Sequence, residues 1–577
     1  MDGRDRAQFV PQFVGTIVGE STSREFRIAV AQEAVREQEI VAVDATLHDP
    51  GSGGLCPVRV WAKVQRIERV NPLFPVEAGH ELAATRTSPF ETVLSLSREL
   101  VTAVCQVLGA EPRDDKGGGK LDHVRYPPQP ATTVYRPASD SIARIVLGDL
   151  QKRRHRALDI ATLSNRQDVD VLIDGHAVVT RHLAILAMTG AGKSWTARRI
   201  IEELAAKNYP IVIFDPHGDY TGLADVPGLS HRVRRFYAWF PIFEQDAETV
   251  VTVVESLGWQ LAKTHRERFG SLFDAARAFI SASPQELRQR TLWLADYLGR
   301  PNIAEWGLRP DLYAFASVVE AVIKASKADD GESLAELSEW TGRTDIRLTR
   351  QQAQWLEAMP ANLRTAARRL RQMETISRKV SGTSEPMPLD RKDLVRYGQI
   401  SVVALAGYHS DFQATLYALI ADAIFSARVA DELPYQALLL LEEAHNFAPA
   451  RAQTPAEQFA VNTTRQIAQE GRKFGVGLVL ISQRPSRVDE TTLSQCNSYV
   501  IMRMANPADQ SYIRRVIETL GEDEADLLPD LDVGEALLSG QFINFPVLVR
   551  IKPPKSQGER EEEDAFAALQ AAHARRT

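Results

Sequence analysis

The stretch LAILAMTGAGKSWTARRIIEELAAK, Leu183–Lys207, decides how the chain is read. Four apolar residues without alternation are the pattern of a strand buried on both faces. A short loop with two glycines follows, and then apolar residues return at helical spacing. Ala187–Ser194 fits the broad phosphate-binding loop pattern, with Ala187 where glycine is usual. The chemistry explains the residue types: small residues let backbone N–H groups wrap an anion, and the helix that follows directs its positive end at it. Lys193 supplies a cation and Ser194 a hydroxyl for a magnesium ion, while Gly190 and Gly192 give the loop its backbone freedom.

Working outward, Ile211–Tyr220 (IVIFDPHGDY) is a second buried strand that ends in polar residues. Strand, loop, helix and strand at this spacing open a parallel α/β sheet. Between about Ala247 and Leu394 the sequence turns to helical periodicity rich in Ala, Leu, Arg and Glu. Strand signals resume at Gly398–Gly407, Pro434–His445 and Gly475–Pro485, so the sheet is expected to continue after a helical insertion.

Toward the N-terminus, FVGTIV, EFRIAVA, EIVAVDA and PVRVWAKVQRI alternate with Gly, Asp and Pro clusters, which predicts a small antiparallel barrel or sandwich. Leu94–Leu108 reads as a helix and Gly109–His123 as an exposed loop. The tail after Pro553 reads as a peripheral helix, either free or docked on a neighbour.

Composition limits the classes. The 577 residues carry 68 Lys+Arg against 75 Asp+Glu, a formal charge of −7, so the chain is not coated in basic charge. Cys56, Cys105 and Cys496 are too few and too scattered for a disulfide framework, and no Cys/His cluster has metal spacing. No apolar run approaches the length of a spanning helix. A cytoplasmic protein without membrane insertion is the expectation.

Two further motifs carry chemistry. LLLLEEAH, Leu438–His445, is an apolar strand ending in adjacent carboxylates. Glu442 is the candidate on the metal side and Glu443 the candidate general base; the alternative is a paired glutamate opening a solvated helix. Gln483 closes the strand Leu478–Ile481 as a candidate γ-phosphate sensor or as a turn-capping amide. Arg472 and Lys473, read as a loop beside Gly475, could face a neighbour's nucleotide, contact nucleic acid, or form a surface pair. Asp215 and Asp219 are second-tier candidates, equally readable as a structural turn, and His217 alone is no metal site. The runs Lys152–Arg156 and Arg368–Arg371 are basic, although such runs are usually solvated faces.

Taken together, AMTGAGKS, FDPHGDY, LLLLEEAHNFAP, EGRKFGVGLVLISQRP and GEALLSGQF…PVLVRI resemble the HerA branch of the HerA/FtsK superfamily, of bacterial or archaeal type, over nearly the whole chain. The resemblance implies an α/β fold: a RecA-like P-loop ATPase core with an inserted helical subdomain, preceded by a small HAS-barrel-like domain. The boundaries expected are the barrel at 1–110, a connector at 111–165, the core at 166–246 and 395–553, the helical insertion at 247–394, and a helical tail at 554–577. It also implies a homohexameric ring that hydrolyses ATP with Mg2+ and translocates double-stranded DNA. Carried over by position, Thr189, Gly190, Ala191, Gly192, Lys193, Ser194 and Trp195 bind nucleotide, and Ser194 and Glu442 serve the metal. Glu443, Lys193, Gln483 and Arg472 carry catalysis, Arg472 as the trans-acting finger. Glu442 departs from the usual Asp. A separate effector, a NurA-like or other nuclease or a sirtuin-like NADase, is implied at the barrel, in DNA end processing or anti-phage defence. Two other readings stand beside this one: a nucleotide-regulated ring scaffold that activates its effector, and a secretion- or conjugation-type pump.

Overall fold

A computed structural model describes residues 12–30, 34–48, 54–70, 80, 83–84, 100–113, 120–306, 309–383, 385–555, 569 and 573. The chain divides into two compact units. The first joins the N-terminal part, up to Leu204, to Cys496–Pro554; the second is built on Ala205–Gln495.

In the first unit six strands close a barrel: β1 (Gln12–Ser21), β2 (Glu25–Val30), β3 (Ile40–His48), β4 (Leu55–Val70), β5 (Leu100–Pro112) and β6 (Thr133–Arg136). Their order is β1-β2-β5-β4-β3-β6, with every neighbouring pair antiparallel. Val14, Ile17, Phe26, Ile28, Val41, Val43, Val60 and Val134 point inward and fill it, as the period-two pattern requires. The four strands expected from alternation are β1 to β4.

The helix expected at Leu94–Leu108 is not formed. Residues 94–99 lie outside the described residues, and from Leu100 onward the segment is β5. Its Val101, Thr102, Val104 and Val107 suit a strand, and β2 and β4 flank it on both sides, so sheet pairing overrides a short helical periodicity. The loop expected from Gly109 is also shortened: β5 runs to Pro112, and Ala110 exchanges backbone hydrogen bonds with Asp122 at 2.9 and 2.8 Å. The expected connector contributes β6, without which the barrel would stay open.

The same unit holds a second sheet. Its strands are β7 (Ala157–Leu163), β8 (Asp170–Asp174), β9 (Leu183–Leu186), β15 (Ser498–Met502), β16 (Glu535–Gly540) and β17 (Val547–Ile551); the strands that fall between β9 and β15 in chain order belong to the second unit. The order is β9-β15-β16-β17-β7-β8, and only the β9–β15 pair is parallel. A buried ion pair fastens barrel to sheet: Lys63 on β4 donates to Glu524 at 2.7 Å, on the helix Glu522–Asp526 that precedes β16, with side chains 3% and 7% exposed. Trp61 and Arg144 both donate to Glu111, which adds a second fastening near the helix Ser139–Leu147.

The second unit is a five-stranded, wholly parallel sheet: β10 (Ile211–Asp215), β11 (Val233–Tyr237), β12 (Ile400–Ala404), β13 (Ala437–Leu441) and β14 (Val476–Ser482), ordered β11-β12-β10-β13-β14. β10, β12, β13 and β14 are buried along their whole length, which accounts for their unbroken apolar runs. Phe214, Tyr417 and Phe447 pack under it with ring centres 5.0 to 6.2 Å apart.

Between β11 and β12 the described residues form helices and no strand, from Ala247–Ser256 through Met359–Ser381. The last and longest of these helices docks on the sheet. Ser377 donates to the Ala404 carbonyl (2.8 Å) and accepts from Ala238 N–H (3.0 Å), and Arg378 lies over the Tyr237 ring. Among the described residues no helix is long and apolar enough to cross a membrane.

The packing can be tested at two places. Replacing one member of the Lys63–Glu524 pair strands a buried charge, so Lys63→Met or Glu524→Gln destabilises by about 3–5 kcal/mol, whereas the double change Lys63→Met with Glu524→Leu recovers part of that loss; thermal unfolding of the four proteins checks it. Burial pushes the Glu374 carboxyl, on Met359–Ser381, up to about 7, with Arg378 pulling the other way. A carboxyl raised on folding costs no stability below its unfolded value and costs progressively more as pH climbs through the folded one. Glu374→Gln is therefore more stable than the parent at about pH 8, by about 1–3 kcal/mol, and the two converge below about pH 4.5.

Candidate functional site

In the first unit the phosphate loop grows from β9. Its four residues and Ala187 are fully buried, so the chain leaves the sheet pinned and must turn at once. Met188 N–H donates to the Arg503 carbonyl at 3.0 Å, Ala191 N–H closes a turn back to Met188, and Gly534 N–H donates to the Ala191 carbonyl at 3.1 Å. Gly190 and Gly192 have φ of +79° and +106°, a region that side chains with a Cβ rarely occupy. A Cβ at Gly192 would also stand 3.1 Å from Met502 Cε. The helix Lys193–Ala206 begins directly after the loop, and Thr196 secures its first turn by donating to the Gly192 carbonyl at 3.0 Å.

Lys193 is buried, Ser194 is half-buried, and Thr189, Gly190 and Trp195 are exposed. Nothing lies within 4 Å of the Cβ position of Gly190, so this face of the loop is open to an approaching group. Loop N–H groups, the positive end of a helix, an ammonium and a hydroxyl make a donor set for a polyphosphate with its divalent cation. The residues therefore fit Mg2+-nucleotide.

In the second unit the polar groups gather at the carboxyl ends of the parallel strands, where α/β sheets carry their sites. Asp215 ends β10 with 0% exposure. Its Oδ1 accepts from the N–H groups of His217, Gly218 and Asp219 at 3.3, 2.7 and 3.1 Å, and its Oδ2 from Tyr220 N–H at 3.0 Å. Burial pushes this carboxyl up, and the N–H donors of Tyr220 and Gly218 pull it down. Asp215 is thus the nucleus of a turn, which is the structural alternative for this residue. Asp219 is half-buried on that turn, and His217 is exposed.

The turn returns Tyr220 beneath the strand ends, where its hydroxyl donates to Glu442 Oε2 at 2.6 Å with both residues fully buried. Burial, and then the nearby Glu442 charge, hold the phenol well above its ordinary value, so it stays a proton donor. Sequence reasoning missed Tyr220; the sign available was an aromatic at the end of a turn that begins at a strand terminus.

Glu443 follows in the left-handed region, φ +52°, and is 5% exposed. A non-glycine residue held there carries strain of about 1–2 kcal/mol, which the surroundings must sustain. Gln483, one residue past the end of β14, donates from Nε2 to Glu443 Oε1 at 2.6 Å, and His445 Nδ1 lies 3.4 Å from Oε2. Because β13 and β14 are parallel neighbours, Glu442, Glu443 and Gln483 meet at one sheet edge. The paired glutamates do not open a solvated helix.

The remaining candidates lie on other elements. Arg472 and Lys473 are not in a loop: they occupy the exposed last turn of the helix Pro455–Phe474, which Gly475 terminates in the left-handed conformation. Lys152 to His155 are exposed on a 3-10 segment. In the other basic run Arg371 pairs with Asp311, which offsets one of its charges, and Arg369 donates to the Leu257 carbonyl. Among the described residues no group of His, Cys, Asp and Glu has the makings of a metal cluster.

The chain is similar to known proteins. A family model described as the central domain of helicase HerA matches residues 158–424. The DNA double-strand break repair helicase HerA of Pyrococcus furiosus is 27% identical over 94% of this chain and 92% of its own length. A probable helicase of Methanocaldococcus jannaschii, MJ1565, is 28% identical over 77% of this chain and 75% of its own. The solved structure of VirB4 of Thermoanaerobacter pseudethanolicus is 16% identical, overlapping 69% of this chain and 98% of that one at a TM-score of 0.39.

Asp215→Asn retains one acceptor oxygen and turns an NH2 toward a backbone donor. A loss of about 1–3 kcal/mol is expected, together with faster hydrogen exchange of the amides from His217 to Tyr220 than in the parent.

Proposed function

We propose that the chain is a P-loop ATPase of the HerA helicase type, an ATP-driven double-stranded DNA translocase that works as a homohexameric ring. The observation that carries the reading is the strained, buried Glu443 held by Gln483 at the end of β13. A carboxylate fixed that way is suited to take a proton from an attacking water, and the amide that grips it is suited to orient that water. The DNA substrate rests on the relatives, which are named as helicases and align over most of the chain.

The roles follow the chemistry of each group. The N–H groups from Thr189 to Ser194 and the Lys193 ammonium hold the phosphates of ATP, with Trp195 at the edge of the same run. Ser194 and Glu442 supply oxygen toward Mg2+. The chemistry that Mg2+ brings when bound is neutralisation of charge shared between the β- and γ-phosphates. Arg472, exposed at a helix end, reaches a neighbouring subunit's nucleotide as a finger.

Since the chain is net acidic, affinity for the duplex has to be concentrated in local basic surface lining the ring's channel. A separate effector, a nuclease or a sirtuin-like NADase, docks through the barrel, which exposes Phe13, Leu55, Val70 and Leu100 by more than half of their surface. DNA end processing or anti-phage defence is the setting this combination suits.

Lys193→Ala is expected to abolish ATP turnover, and Glu443→Gln to lower it at least about 100-fold while nucleotide still binds. Added double-stranded DNA stimulates the parent. Turnover that stays flat when duplex ends are supplied would remove translocation from the reading and leave an ATPase alone.

A further inference from the structure

Glu442 raises a physical difficulty on the metal side of the site. The glutamate carboxylate stands on one more methylene than an aspartate would provide, and its terminal torsion is broad rather than confined to sharp wells. A metal-facing oxygen has to be held within a fraction of an ångström of its working position. A longer, softer side chain therefore needs an outside restraint.

The structure contains one. β10 and β13 are parallel neighbours in register, with Phe214 opposite Leu441, so Asp215 and Glu442 leave the sheet side by side. Asp215 gathers four backbone N–H groups and curls residues 217–220 into a compact turn. That turn delivers the Tyr220 ring, rigid beyond two torsions, to Glu442 Oε2 at 2.6 Å. A buried phenol could satisfy its hydroxyl on any backbone carbonyl; this one is given to a carboxylate 222 positions away in the chain. Gly218, at φ +91°, has Val380 of the helix Met359–Ser381 2.7 Å from its Cβ position, so the turn is also pressed from outside.

We propose that Tyr220 is a positioning residue for Mg2+-nucleotide: its hydroxyl fixes the rotation of the Glu442 carboxylate, in a site built to the reach of a glutamate. The proposal rests on the reading of Glu442 as the metal-side carboxylate. Hydrogen bonds of this kind behind a ligand typically change metal affinity or activity by about 10–100-fold when removed. The restraint acts on the metal-dependent part of nucleotide binding and leaves the part due to the phosphate loop unaffected.

The test uses the full chain and a fluorescent ATP analogue, titrated with saturating Mg2+ and again with EDTA. In the parent Mg2+ tightens binding. Tyr220→Phe is expected to leave the EDTA affinity unchanged and to reduce the Mg2+ tightening by about tenfold or more. Glu442→Asp, which withdraws the carboxylate from the phenol, has the same signature. The double variant Tyr220→Phe with Glu442→Asp is no worse than either single, because both break one interaction. Thermal unfolding verifies that each variant is folded, and should Tyr220→Phe not fold, Glu442→Asp decides: an undiminished Mg2+ response overturns the proposal. It is also overturned if Glu442→Gln abolishes the Mg2+ response while folded Tyr220→Phe keeps it in full, or if the two single effects simply add. If Glu442→Gln itself keeps the parental response, the metal-side assignment of Glu442 fails, and with it the reading on which this inference stands.

Discussion

The side chain of Asp215 is the fixed point of the second unit. A parallel sheet buried on both faces can present chemistry only where its strands end, and there the backbone still has N–H groups to satisfy. One carboxylate accepts four of them at 2.7 to 3.3 Å and thereby sets the path of the chain through Tyr220. Glu442 is then fastened by Tyr220, and Glu443 by Gln483 from the adjacent strand end. Each carboxylate at this edge is paired with a group that limits its freedom, which is what allows charged side chains to remain where they are almost excluded from water.

Much of this arrangement was legible in residue order, for a physical reason. Strands buried on both faces cannot alternate, so ILAM before the loop and LLLL before the carboxylates stand out, and the two glycines of AMTGAGKS mark backbone that has to pass through positive φ. The barrel's first four strands were equally open to reading because each is a Val- or Ile-containing run bounded by turn residues, and in β2 buried and exposed residues alternate. β5 and β6 were not. The first lies in a segment that satisfies helical and strand periodicity together, and the second is only four residues long; both are decided by the neighbours they pair with. Tyr220 is illegible for a related reason: a tyrosine after a turn is ordinary, and only the register of β10 against β13 reveals its partner. Arg472 was seen as a residue but misplaced in a loop, since Gly475 signals an end of structure without saying that the helix runs up to it.

The first unit solves a different problem, that of holding a phosphate loop against a barrel. Lys63 and Glu524 are nearly inaccessible, so their attraction is little screened by salt. The segment from Glu524 onward leads through Gly534, whose N–H takes the Ala191 carbonyl inside the loop. A barrel strand and the nucleotide loop are thus joined by one short covalent stretch with a fixed contact at each end.

That same stretch has a consequence for synthesis. β9 leaves the ribosome well before its partner β15, and the supports of the loop lie between residues 498 and 551. The stretch Ala205–Gln495 is continuous in sequence and can fold in the meantime, whereas the groups that support the phosphate loop, the Arg503 carbonyl and Gly534 N–H, are made only afterwards. A message cut short before residue 498 would yield a protein that holds Ala205–Gln495 complete and whose phosphate loop never receives its floor.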